Sequence, residues 1–249
     1  MVSLCPDIDA STTVQNLNES VDADTPANVE DFCTVEYAFQ TNFTNDRIER
    51  FRQTLKYIIS PTSSVADVLD SCLPADYVLL LLSATVEVPE SSLNTLRSVL
   101  AQGTPSIIPI VTNLSAHSNP KTRAEVKKSL LAYICQYIPT VERVYAADDR
   151  TEASTVMRIL CTSIPKGIRW REQRSYILSE GWRWDEEEDK IVFIGTIRGK
   201  PLQVNRLIHL ANWGDFQIEK VVLLKIIYLQ LDMFIARQQD EQIYWRDAT

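Results

Sequence analysis

The sequence predicts an α/β domain, with helices on both faces of a mostly parallel sheet, followed by a small and incomplete antiparallel β-barrel. Three observations carry this expectation. Continuous apolar runs, Tyr77-Val-Leu-Leu-Leu-Leu-Ser83 and Ser106-Ile-Ile-Pro-Ile-Val-Thr-Asn113, suit strands buried on both faces. Segments with apolar residues at helical spacing separate them, as layered α/β domains require. After Pro165-Lys-Gly the pattern changes to short alternating runs broken at Gly195, Gly199 and Gly214, the mark of strands joined by glycine-tolerant bends.

Taken in order, Val2–Leu4 is a short apolar opening, and Ser11-Thr-Thr-Val-Gln-Asn-Leu reads as a capped helix start. Residues Asn18–Glu30 are acidic and turn-rich, a loop. Phe32–Phe43 and Phe51–Ser60 read as strands, and Ser64–Cys72 as a helix. The Tyr77 run is a buried strand, and Ser91–Gln102 a helix ended by Gly103. Pro109 cannot donate to a ladder, which places the Ser106 strand near an edge. Lys121–Ile138 is a helix, Val141–Ala147 a strand and Glu152–Ser163 the last helix before Pro165. Strands follow at Tyr176-Ile-Leu, Ile191–Ile197, Pro201–Leu210 and Phe216–Leu224. Val221–Thr249 lacks Gly and Pro and reads as a helix. The expected division is 1–164, 165–221 and an atypical tail, 222–249.

Composition excludes several classes. The 249 residues carry a net charge of −8, with 45% apolar and 23% charged residues, which fits a globular protein and not a nonspecific nucleic-acid glue. No Lys or Arg precedes Arg47, so a phosphate-binding surface has to lie further along. The five cysteines contain no C-x-x-C pair, so buried thiols in a reducing compartment are expected, without a zinc site. His117 and His209 are too isolated for a metal or acid–base constellation. The longest apolar run, near Val221–Ile235, is broken by Lys225 and Asp232 and falls short of the roughly 20 residues that span a bilayer.

The elements GTIRGKPL (195–202), NRLIHL (205–210) and WGDFQIEKV (213–221) resemble the second, AARP-type domain of the BMS/TSR ribosome-biogenesis proteins, and the TSR branch more than the BMS branch. That resemblance, over residues 1–221, implies a GTPase-like domain feeding a barrel similar to domain II of translation factors. Relatives would carry a basic extension before the first strand and further domains after Val221, where this chain reads as a truncated or alternative end.

A GTPase-like domain needs glycine-rich backbone to cradle phosphates, a lysine for their charge and a Ser or Thr for Mg²⁺. After the first strand this chain has Cys5-Pro-Asp-Ile-Asp-Ala-Ser-Thr, without glycine or lysine. Asp7 and Asp9 would repel a triphosphate, and Ser11 and Thr12 read as a helix cap. Where Asp-x-x-Gly would stand there is Pro61-Thr-Ser-Ser, and where Asn-Lys-x-Asp would stand, Thr112-Asn-Leu-Ser. Asp7, Ser11, Thr12 and Asn113 thus outline a degenerate nucleotide pocket, with no catalytic residue, cofactor or metal. A GTP-binding protein with a divergent pocket is the alternative. An enzyme using Cys5 or Asp7 is a third reading, for which no base or oxyanion partner is identifiable.

Lys166, Arg169, Arg171 and Arg174 stand beside Trp170 and Tyr176, and Arg198, Lys200 and Arg206 follow in the glycine-rich stretch. Arginine and aromatic side chains suit RNA phosphates and bases. Pairing of the same arginines with carboxylates between domains is the competing reading. Trp182, Trp184 and Trp213 read as barrel packing, and Asp215 as a turn former. The resemblance implies a scaffold in small-subunit (pre-40S) assembly and rRNA maturation. Its partners would be the pre-ribosomal particle, rRNA or snoRNA and ribosomal proteins, with no membrane. It would be monomeric outside the particle, and nuclear and nucleolar or on late cytoplasmic precursors.

Overall fold

The computed structural model describes residues 1–22, 43–48, 50–51, 53–60, 64–103, 106–185, 190–210, 213–226 and 229–238. Contacts divide the chain into two compact units, one essentially Met1–Ile168 and the other essentially Arg169–Thr249.

The first unit is built on a parallel four-stranded sheet: β1 (Val2–Ser3), β4 (Val78–Ser83), β5 (Ile107–Thr112) and β6 (Tyr145–Ala146), in that order. An antiparallel hairpin, β2 (Phe43–Ile48) and β3 (Gln53–Ile58), adjoins β1. The Met1 nitrogen donates to the Ile58 carbonyl, and the Ser60 N–H donates to the Met1 carbonyl at 3.0 Å. The helices are α1 (Ala10–Glu19), α2 (Val65–Cys72), α3 (Glu90–Gln102), α4 (Pro120–Cys135) and α5 (Arg150–Thr162).

Every residue of β4 is buried because the sheet is covered twice. Leu80 and Leu82 join Val2, Leu4, Leu96, Val99 and Ile134 in one core. Leu79 and Leu81 join Val14, Leu17, Val156 and Met157 in the other. A strand covered on both faces has no polar face to show, hence its unbroken apolar sequence.

The Pro109 strand lies near an edge, as expected, but not at it: β5 stands between β4 and the two-residue edge strand β6. The Ser106 and Thr112 carbonyls face β4, accepting from Val78 and Ala84, whereas the Val111 carbonyl accepts from Ala147 beside β6. In a parallel strand one residue's N–H and C=O point the same way, so Pro109 turns its nitrogen towards β6. But β6 pairs only with Ile110 and Val111, and no ladder bond is lost. Strand β6 is shorter than the expected Val141–Ala147. The Glu152 carboxylate on α5 secures it, accepting the Ala146 N–H at 2.7 Å while pairing with Lys127 and Arg143. Burial works against the Glu152 charge, but the Lys127 contact and the Ala146 N–H outweigh it and hold its carboxyl below the usual range.

The second unit opens with a single helical turn, α6 (Arg169–Glu172), and continues as an antiparallel sheet. Its strands are β7 (Ser175–Asp185), β8 (Lys190–Gly199), β9 (Leu207–Leu210), β10 (Gly214–Ile226) and β11 (Leu229–Gln238), in the order β7-β8-β11-β10-β9. Ile191, Phe216 and Ile218 form the centre of its core. Among the described residues no ladder joins β7 to β9, so the sheet is open. The Trp182 and Trp213 rings, edge to face at 5.9 Å, link β7 to the β9–β10 turn.

The expected helix over Val221–Thr249 is overturned. Residues to Ile226 continue β10, and β11 returns between β10 and β8, with Val222 opposite Met233 and Ile194 opposite Met233 on its other side. Helical spacing of apolar residues is ambiguous there, and the β-branched Val221 and Val222 favour a pleated strand, here paired with β11. Residues 239–249 lie outside the described residues, as does all of Phe32–Phe43 except Phe43 itself. The expected strand over Pro201–Leu210 is confined to Leu207–Leu210.

Candidate functional site

In a doubly wound sheet, ligands approach the carboxyl ends of the strands. There the chain runs from β1 through Cys5-Pro6-Asp7-Ile8-Asp9 into α1. Asp9 is the N-cap: its carboxylate accepts from the Ser11 N–H at 3.0 Å, the Thr12 N–H at 3.3 Å and the Thr12 hydroxyl at 2.6 Å. Ser11 and Thr12, expected to cap the helix, are instead the residues that Asp9 caps. The Thr12 hydroxyl and these N–H groups hold the Asp9 carboxyl below the usual range against the cost of burial. Backbone donors that could meet an incoming anion at α1 are occupied by a side chain of the loop itself.

Asp7 reaches across the sheet. Its Oδ2 accepts from Ser83 Oγ at 2.6 Å, Thr85 Oγ1 at 3.2 Å and Asn113 Nδ2 at 3.0 Å. Ser83 Oγ in turn accepts the Thr85 and Val86 N–H groups at 3.1 and 3.2 Å. Burial opposes the Asp7 charge, but hydrogen bonds from Ser83, Asn113 and Thr85 prevail and keep its carboxyl low. Asn113 follows β5 in the left-handed region, φ 59° and ψ 20°, which asparagine tolerates better than most residues. Of the four residues expected in the pocket, Asp7 and Asn113 are thus in contact, whereas Ser11 and Thr12 serve the cap.

Ser83 and Thr85 were not singled out from sequence. Their signal was available: two hydroxyls just where a buried apolar strand ends. Cys5 is buried, its thiol donating weakly to the Val86 carbonyl at 3.5 Å, and burial pushes its pKa up. An unreactive thiol results, which removes the support for Cys5 as a nucleophile. Among the described residues no group of His, Cys, Asp and Glu is arranged to hold a metal, and no helix is long and apolar enough to cross a membrane.

Three basic residues of the second unit lie near one turn. Gly199 has φ +76°, and a Cβ there would stand 2.0 Å from the Arg174 carbonyl and 3.1 Å from that of Arg171. The Lys200 N–H donates to the Arg174 carbonyl at 3.1 Å. Lys200 is thereby seated on the end of α6, beside Arg174 and one turn from Arg169. These three are exposed, and no carboxylate of a described residue pairs with them. Arg171 does not belong with them: it is 9% exposed, with its guanidinium 5.9 Å from the Trp170 ring centre. Arg198 is half-buried on β8 opposite Tyr176. Arg206 is exposed in the turn before β9 rather than in a strand, and Lys166 lies in the other unit. Trp184 and Trp213, expected in the core, are each 45% exposed. Asp215 lies on β10 and bonds His209 across the ladder at 2.8 Å.

Comparison with known proteins decides the family. The model of the Tsr1 G-like domain matches residues 1–162. The chain belongs to the Tsr1 G-like family. The model of the AARP2CN (NUC121) domain matches residues 164–226. The ribosome biogenesis protein tsr1 of Schizosaccharomyces pombe is 37% identical over 221 residues, covering 89% of this chain and 27% of that protein. The pre-rRNA-processing protein TSR1 homolog of Dictyostelium discoideum is 30% identical over 164 residues, 66% of this chain and 20% of its own. Its human counterpart is 27% identical over 159 residues, 62% of this chain and 20% of its own. The chain therefore spans only 20–27% of the length of these relatives. Among solved structures, a bacterial selenocysteine-specific elongation factor, EF-Sec, superposes with a TM-score of 0.58 at 11% identity, covering 90% of this chain and 40% of that one. The Tsr1 G-like fold is thus that of a translation factor, and its front loop carries the Asp7 and Asp9 carboxylates.

Proposed function

We propose that the chain acts as a non-catalytic, GTPase-like scaffold in assembly of the small ribosomal subunit and maturation of its rRNA. The observation that carries this reading is the Asp7 carboxylate, drawn over the ends of β4 and β5 by Ser83, Thr85 and Asn113. A Mg-bound triphosphate needs positive charge and free N–H groups there. The loop offers negative charge, and the Ser11 and Thr12 N–H groups are already taken by Asp9. With no lysine between Met1 and Thr12 to offset it, nothing favours the nucleotide, and no cofactor is required.

The relatives' names support the process: one is called a ribosome biogenesis protein and the others pre-rRNA-processing proteins. The exposed cations Arg169, Arg174 and Lys200 suit phosphate oxygens of an RNA within a small-subunit precursor, held by charge and placement. Nucleolar residence follows from that role. The test is co-sedimentation of the chain with small-subunit precursor particles. Binding is expected to be the same with GTP, with GDP and with neither. A several-fold dependence on the γ-phosphate would overturn the reading, because it would require a working nucleotide switch.

A further inference from the structure

The donors at the front of the first unit pose a chemical question that the scaffold reading leaves open: why do three of them meet on one oxygen? Ser83 Oγ, Thr85 Oγ1 and Asn113 Nδ2 come from the ends of two different strands, and all address Asp7 Oδ2 at 2.6–3.2 Å. None is charged, so no salt bridge explains the convergence. Ser83 is also the centre of its own turn, taking the Thr85 and Val86 N–H groups. Asn113 adopts a left-handed backbone at the same place. Such a set suits an oxyanion, because a charged acceptor strengthens each hydrogen bond it takes from a neutral donor.

We propose that Asp7 is a resident anion: its carboxylate takes the position of an exchangeable oxyanion and ties the ends of β1, β4 and β5 into one fixed arrangement. This inference rests on the scaffold reading and deepens it. Asp9 does the equivalent at the α1 N-terminus, where its carboxylate takes the Ser11 and Thr12 N–H groups. A protein that works by shape cannot leave its front loops dependent on a ligand that comes and goes. A covalently attached carboxylate removes that dependence, since its local concentration never falls.

The experiment is chemical rescue. In the full chain, Asp7→Ala removes the anion and leaves its three donors open to solvent at an exposed position. Thermal unfolding followed by far-ultraviolet circular dichroism is expected to show a midpoint lower by about 5 °C, as loss of charge-assisted hydrogen bonds implies. Sodium formate at about 50 mM should restore at least half of that loss by mass action. The unaltered protein and Asp149→Ala, which loses a cap of the same kind on α5 without converging strand-end donors, should respond to formate by less than about 1 °C. Asp7→Asn keeps an acceptor oxygen but no charge, and should sit between the two. The proposal is overturned if Asp7→Ala melts with the unaltered protein, if its loss ignores formate, or if Asp7→Asn is fully stable. Should Asp7→Ala fail to fold, refolding yield with and without formate decides in the same sense. Failed rescue in a protein that also ignores GTP sinks the resident anion alone; GTP binding by the unaltered chain sinks the scaffold reading itself.

Discussion

Gly199→Ala is expected to destabilise the second unit by about 3 kcal/mol or more. Two costs add. Alanine at φ +76° enters a backbone region that L side chains avoid, and its Cβ would overlap the Arg174 carbonyl at 2.0 Å. Backbone on both sides is fixed, by the Lys200–Arg174 hydrogen bond and by the Ser175–Gly199 register, so neither can withdraw cheaply. Gly214 supplies the internal control. Its φ is +99°, but a Cβ there would meet nothing within 4 Å, and Gly214→Ala should cost only about 1 kcal/mol. Tryptophan fluorescence reads the difference directly, because all five tryptophans lie at or beyond position 170 and so within the second unit. Equal denaturation midpoints for the two variants would show that the turn does not rest on α6 as described.

Reversing Arg169, Arg174 and Lys200 together to glutamate is expected to weaken co-sedimentation with small-subunit precursors by about 100-fold or more, and to leave the tryptophan signal native. Each lost phosphate contact should also lower the steepness of the salt dependence by about one unit. The fold survives because all three side chains are exposed. Arg171 is the instructive exception. It is nearly as close in sequence, but it is buried, with its guanidinium over the Trp170 ring, so Arg171→Glu should unfold the unit instead of weakening one contact. Undiminished binding by the triple variant would assign the cluster a role other than gripping RNA.

These two cases show what sequence could and could not reveal. Gly199 and Lys200 were conspicuous as a bend in a glycine-punctuated stretch, and the buried runs of β4 and β5 declared a parallel sheet by their lack of alternation. The layering of the first unit followed, since a strand apolar on both faces demands helices on both. Residues 221–238 misled for the opposite reason: an apolar run long enough for a helix carries no decisive period, and only its ladders with β8 and β10 settle it. The basic group was visible as a list of charges, but its division was not. Whether an arginine faces water depends on which turn packs on it, a tertiary fact for Arg171 and Arg174 alike. At the front loop, the absence of glycine and lysine is plain, and so is the repulsion that Asp7 and Asp9 offer a phosphate. Their partners, Ser83 and Thr85, are separated from Asp7 by more than seventy residues, beyond any local pattern.

The central claim is that the front of the sheet holds no exchangeable nucleotide. Isothermal titration of the unaltered chain with GTP and Mg²⁺ tests it most directly. The account predicts no saturable heat up to about 1 mM nucleotide, a concentration at which even a Kd of that order would register. Micromolar binding that disappears when Ser11 and Asn113 are replaced would contradict it.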